Sequence, residues 1–174
     1  MPRLPSPTPF LNDLFARLTN GDGRLDHLTL DHLCYRVATP ARYVELRDGL
    51  LAEGHELLAE SPINGRSIAT FRMAAPFRYD EREIRLLELP EPKPGSPYPE
   101  GYEHVEFVTD RPLAAFEDWL TETLGVAPEA IDRSGLGKPL NADLRLRPAG
   151  GLSVKFHELA LDEVIALERN GYDG

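Results

Sequence analysis

The chain has 174 residues, 41% of them hydrophobic, with 19 lysines and arginines against 29 acids for a formal charge of −10. That is about one domain's length with apolar side chain enough for one core, and the acidity argues against a nucleic-acid partner, since no basic cluster offsets it. The single cysteine, Cys34, cannot close an internal disulfide, and no apolar run approaches the roughly 20 residues of a membrane span.

The opening Met-Pro-Arg-Leu-Pro-Ser-Pro lacks the apolar stretch of a signal peptide, so a cytoplasmic protein without a membrane partner is expected. Its first six residues read as an unstructured leader. Phe10, Leu11, Leu14, Phe15 and Leu18 then fall at helical spacing around a helix at 12–18, which stops in Thr-Asn-Gly-Asp-Gly at 19–23. Residues 31–37 alternate as a strand: Leu33, Tyr35 and Val37 share one face, His32, Cys34 and Arg36 the other. Thr39-Pro40 reads as cap and first turn of a helix that carries Tyr43, Leu46, Leu50 and Leu51 and ends at Gly54. Three strands are expected at 56–61, 66–73 and 83–89, the first two joined through the hairpin signal Asn64-Gly65.

Residues 90–101 hold five prolines, a density that neither a helix nor a strand interior tolerates, and read as a linker. The pattern then starts again. Residues 103–108 form a strand, and Arg111-Pro112 opens a helix through Phe116, Trp119, Leu120 and Leu124 to Gly125. A weak strand is expected at 130–133, two more at 142–147 and 152–158, and a short helix at 161–170. Asp31-His32 and Glu103-His104 both open a strand that leads to a Pro-initiated helix, which suggests a duplicated β-α-β-β-β module. The expected fold is α+β: modules at about 31–90 and 103–158 make a curved mixed sheet of about eight strands with a concave cleft. Residues 1–24 form a leader and helix, and 25–174 a single domain.

His32 and His104 stand at matching points of the two modules, and imidazole is a common ligand for divalent transition metals. Glu88 lies in the apolar strand Ile84–Leu89, where a carboxylate needs a counter-charge. A metal ion would supply it; so would an ordinary salt bridge to Arg66, Arg72 or Arg85. Ser153, Lys155 and His157 share the polar face of the last strand, which makes Lys155 and His157 candidates to complete or flank a site. Glu106, two residues after His104, reads as a general base, an orienting group or a solvated acid. Arg36 reads as a group that attracts an acidic substrate or neutralises Glu106. Cys34 reads as a small buried hydrophobe, and His27 and His55 as surface residues. Dinucleotide, phosphate-loop, zinc-protease and hydrolase-elbow motifs are absent.

In order, Asp31-His32-Leu33-Cys34-Tyr35-Arg36, Ile63-Asn64-Gly65-Arg66-Ser67-Ile68, Leu87-Glu88-Leu89-Pro90, Gly101-Tyr102-Glu103-His104-Val105-Glu106 and Val154-Lys155-Phe156-His157 resemble the bacterial YecM family, a branch of the vicinal-oxygen-chelate superfamily. The resemblance covers about residues 25–168. It implies the paired-module fold and metal ligands on the first, fourth, fifth and eighth strands, which fall on His32, Glu88 and His104. The eighth strand departs from the pattern: Lys155-Phe156-His157 stands where glyoxalase-like members carry a Glu. So either His157 takes that place or the fourth ligand is missing. The function this implies is a metal-dependent enzyme of lyase, isomerase or dioxygenase type acting on a small oxygen-rich substrate. Zn, Ni, Mn or Fe would be its cofactor, Glu106 and His157 its catalytic groups, and Arg36 and Lys155 its substrate-binding groups. The alternative is a metal-free small-ligand-binding protein that uses the same cleft. A second copy of the chain is the other partner considered.

Overall fold

Apolar side chains three and four apart close the first helix, α1 (Thr8–Thr19), which buries Leu11, Leu14 and Phe15. The structure is a computed structural model that describes residues 4–19, 23–63, 65–95 and 98–171. Residues 1–3 of the expected leader, 20–22 of the helix stop and Asn64 of the hairpin signal lie outside the described residues. The remaining helices are α2 (Pro40–Ala52), α3 (Leu113–Glu122) and α4 (Leu161–Arg169). The Thr39 side chain accepts the Arg42 amide at 3.1 Å, so α2 starts where the sequence places its cap. Of the apolar residues α2 carries, Tyr43, Leu46 and Leu50 are buried and Leu51 is 44% exposed. Among the described residues no helix is long and apolar enough to cross a membrane.

Seven strands build one mixed sheet: β1 (Thr29–Arg36), β2 (Glu56–Ile63), β3 (Arg66–Tyr79), β4 (Arg82–Pro90), β5 (Gly101–Val108), β6 (Asp143–Leu146) and β7 (Ser153–His157). Their order is β2-β3-β4-β1-β5-β7-β6. β1 runs parallel to β4 in the first module and β5 parallel to β7 in the second, and the modules join through the antiparallel pair β1–β5. The expected count of about eight strands is corrected to seven among the described residues. Residues 128–130 take a one-turn 3-10 helix, and what would pair as a strand is reduced to a single bridge between Asp132 and Arg145. β3 also runs six residues past the expected Met73. Pro76 has no N–H to give the ladder, so the pairing with β4 breaks between Arg72 and Phe77 before resuming to the turn at Asp80, whose φ is 49°.

One face of the sheet carries the core. Leu33, Leu87, Val105, Phe107, Val154 and Phe156 pack with buried side chains of α1, α2 and α3 in one apolar cluster. Because side chains alternate along a strand, the residues between these point the other way. On that second face α4 sets Ile165 against Leu58 and Leu86, and beside it opens a pocket of about 550 Å³.

Candidate metal centre

Strand register alone brings the polar residues of the second face together. His32 on β1 lies opposite Glu106 on β5, which lies opposite Lys155 on β7, itself opposite Arg145 on β6. One step along, Glu88 on β4 lies opposite Cys34, Cys34 opposite His104, and His104 opposite Ser153.

Simple alternation would send Asp31 and Glu103 to the apolar face, away from the histidines that follow them. Both escape it by a bulge. On β1 the pairing slips between Leu30 and His32, leaving Asp31 as the extra residue; between Cys34 and Tyr35 the extra residue is Glu103 on β5. Each bulged acid turns onto its own histidine, Asp31 Oδ2 to His32 Nδ1 at 2.8 Å and Glu103 Oε2 to His104 Nδ1 at 2.8 Å. Asp31 Oδ2 also accepts the Leu161 amide at 3.0 Å, and Arg36 Nε lies 2.8 Å from Glu103 Oε2. An acceptor at Nδ1 fixes the ring and its tautomer and leaves the Nε2 lone pair aimed inward.

Those two Nε2 atoms are buried and have no hydrogen-bond partner among the described residues. His32 Nε2 stands 3.7 Å from Glu88 Oε2 and 3.4 Å from Glu106 Oε1, and His104 Nε2 stands 3.5 Å from each of the same oxygens. Four such spacings are long for hydrogen bonds. They match the edge of about 3.4 Å that separates donors held tetrahedrally at about 2.1 Å from a common centre. The donor set of two imidazoles and two carboxylates therefore fits a divalent ion.

Charge tells the same story. Burial opposes a proton on His32, yet Glu106, Asp31 and Glu88 outweigh it and push its pKa up to about 10. Burial likewise opposes the charge on His104, which Cys34, Glu103 and Glu88 overcome, raising it well above the usual imidazole range. Burial works against ionised Glu106, but His32, His157 and Lys155 hold it well below the usual carboxylate range. The carboxylates demand positive charge at this point, from protons or from a cation.

The register also explains the departure on the last strand. Counting from each histidine, Cys34 pairs with Glu88 in the first module as Glu106 pairs with Lys155 in the second. Lys155 thus stands at the second-module counterpart of Glu88. The fourth inward donor comes instead from β5, as Glu106, with Lys155 ion-paired to it. His157 lies at the cluster's edge, its Nε2 3.3 Å from Glu106 Oε2 and 3.6 Å from Asp31 Oδ2.

His32, Glu88, His104 and Glu106 come together, with Lys155 and His157 beside them. Arg66, Arg72 and Arg85, the alternative partners for Glu88, bond to Glu91 and Tyr98, to Glu56 and Asp162, and to Glu83 respectively. Arg36 pairs with Glu103 rather than with Glu106. Cys34 is buried, His27 packs edge-on against Trp119, and His55 is mostly buried, accepting the Ala74 amide at 3.1 Å. Asp31 and Glu103, which orient the two rings, are not among the site residues the sequence nominates. The available signal was the acid–His dipeptide repeated at the start of both strands.

A family model described as YecM protein matches residues 6–168. The chain belongs to the YecM family. Another member of the YecM family, protein YecM of Escherichia coli (strain K12), is 30% identical over 154 residues, covering 82% of this chain and 80% of its own length. An uncharacterised protein of Haemophilus influenzae is 24% identical over 160 residues, 84% of this chain and 83% of its own. Among solved structures, a structural-genomics protein, EC4020, superposes with a TM-score of 0.72 at 29% identity, over 92% of this chain and 86% of that one. A methylmalonyl-CoA epimerase reaches 0.50 at 15% identity, over 74% of this chain and 93% of its own, a likeness of fold alone. The YecM family member described here thus carries the vicinal-oxygen-chelate fold.

Proposed function

We propose that this protein is a divalent-metal-dependent enzyme of lyase, isomerase or dioxygenase type that acts on a small oxygen-rich substrate in the 550 Å³ pocket, read as the concave cleft between its modules. The observation that carries this reading is the pair of buried, unpartnered Nε2 atoms facing two carboxylates. His32, Glu88 and His104 would hold Zn, Ni, Mn or Fe, with Glu106 Oε1 in reach of the same point. When bound, such an ion supplies a Lewis acid for neighbouring substrate oxygens. Glu106 is assigned the proton-accepting role, and His157, beside its second oxygen, carries the proton onward. Lys155 and Arg36 orient anionic or carbonyl oxygens.

The test is elemental analysis of protein purified with each metal supplied. About one equivalent is expected, together with a melting temperature that falls by roughly 5–10 °C when a chelator strips a site filled at about 100 times its Kd. Protein that stays metal-free and melts the same with chelator would end this reading. It would favour a metal-free ligand-binding protein, in which the Lys155 ammonium already supplies Glu106 with its counter-charge.

The bulged acids give a second test. Asp31→Ala and Glu103→Ala are each expected to weaken metal affinity by about 10- to 100-fold, because each removes the group that orients a ligand imidazole. Competition against a chromophoric chelator reads this directly. Wild-type affinity in both variants would show that the rings need no such support.

A further inference from the structure

In a chain of net charge −10 the pocket is lined by seven of the nineteen lysines and arginines but only four of the twenty-nine acids. Most of these cations are spoken for. Lys155 pairs with Glu106, Arg36 with Glu103, Arg147 with Asp132, and Lys138 and Arg145 share Asp143. Arg66 and Lys93 are different: neither has a carboxylate partner among the described residues. The Arg66 Nη1 donates only to neutral acceptors, the Glu91 carbonyl at 3.1 Å and the Tyr98 hydroxyl at 3.2 Å, and its Nε is buried without a partner. The ring of the same Tyr98 carries the Arg36 guanidinium 4.5 Å above its centroid. One tyrosine thus gathers two guanidiniums, and the exposed Lys93 lines the same pocket.

The sheet places this corner relative to the metal centre. Thr70 lies opposite Glu88, and Arg66 stands four residues before it on the same face, about 13 Å along the strand. Arg36 stands four residues beyond His32 on β1, so both arginines lie at one end of the pocket. At the other end Arg72 is tied to Asp162 of α4. Arg36 has Glu103, but Arg66 and Lys93 have no carboxylate among the described residues, and a planar guanidinium with an open donor is built for carboxylate or phosphate.

We propose that the substrate carries a carboxylate or phosphate group that Arg66, Arg36 and Lys93 hold at this corner, while its remaining oxygens face the His32–Glu88–His104 cluster. This rests on the catalytic reading of the pocket, but its test does not need the metal. Metal-free protein is titrated with inorganic phosphate, with succinate and with the neutral succinamide, and the backbone amide NMR shifts are followed. Saturable shifts centred on residues 66, 93 and 98 are expected with phosphate or succinate and not with succinamide. The tighter of the two anions tells phosphoryl from carboxylate substrates.

Arg66→Met or Lys93→Met is expected to weaken that binding roughly tenfold, the loss of one charge-assisted contact. Arg78→Met, on an exposed pair with Glu83, is expected to leave it unchanged. Lys93 is exposed and has no hydrogen bond or ion pair among the described residues, so its variant guards against an Arg66 variant that misfolds. Equal binding of succinamide, or wild-type affinity in both corner variants, would overturn the proposal. Corner binding in a protein that takes up no metal would leave this inference standing and remove the metal one; metal uptake without corner binding would do the reverse.

Discussion

His104→Ala is expected to lose stoichiometric metal while keeping the fold. The histidine sits on β5 at the join of the two modules, and its Nε2 is equidistant, at 3.5 Å, from Glu88 and Glu106. Removing it takes away one of three proposed protein ligands. The loss in affinity should therefore exceed the 10- to 100-fold expected for an orienting acid. Alanine also leaves Glu88 and Glu106 facing each other with less positive charge between them, a cost that falls on the metal-free fold. The apolar face of β5 is untouched, because Val105 and Phe107 point to the other side. Equilibrium dialysis with elemental analysis measures the loss. His27→Ala, on an exposed ring packed against Trp119, is the control that should retain metal. Wild-type metal content in the His104 variant would rule the cluster out as the binding site.

What the sequence makes legible follows from which interactions are local. Alternation along β1 and β7 separates Leu33 and Phe156 from His32, Lys155 and His157, since period-two patterning is written in consecutive residues. The duplication is legible too, because both modules open with an acid–histidine pair. The bulges are not. Alternation puts Asp31 and Glu103 on the wrong face, and only the pairing between strands distant in sequence shows where an extra residue is inserted. The same holds for the fourth donor: Lys155 stands at the counterpart of Glu88, and the neighbouring strand supplies Glu106 in its place, a fact of register across β5 and β7. The weak strand at 130–133 shrinks to one bridge because only Asp132 meets β6. Arg66 enters the sequence reading only as a possible partner of Glu88 and within a family segment, and Lys93 not at all; what marks them is the lack of a carboxylate partner among the described residues, which only three-dimensional placement reveals.

Phe156→Ala is expected to cost about 3–5 kcal/mol, the usual toll for deleting a fully buried aromatic. Phe156 has no exposed surface, and its ring lies 4.9 Å from that of Phe116 and 5.7 Å from that of Phe107, so it links α3 to the central strands. Against a total stability of about 5–15 kcal/mol, that is a large share. The melting temperature should fall by roughly 6–20 °C. β7 has five residues, and the two that flank Phe156 are Lys155 and His157 on the pocket face. A cavity behind the strand therefore loosens the part of the site that steers Glu106. Phe156→Leu refills most of the space and should cost less. The two variants separate core from site: the His104 variant should lose metal even where its metal-free form, destabilised by the carboxylates left less compensated, stays folded. The Phe156 variant should lose melting temperature first, with metal affinity falling only as β7 slackens. Urea midpoints and metal titrations on the same preparations read both quantities. A Phe156→Ala protein as stable as the wild type would mean that β7 does not tie the pocket face to the core.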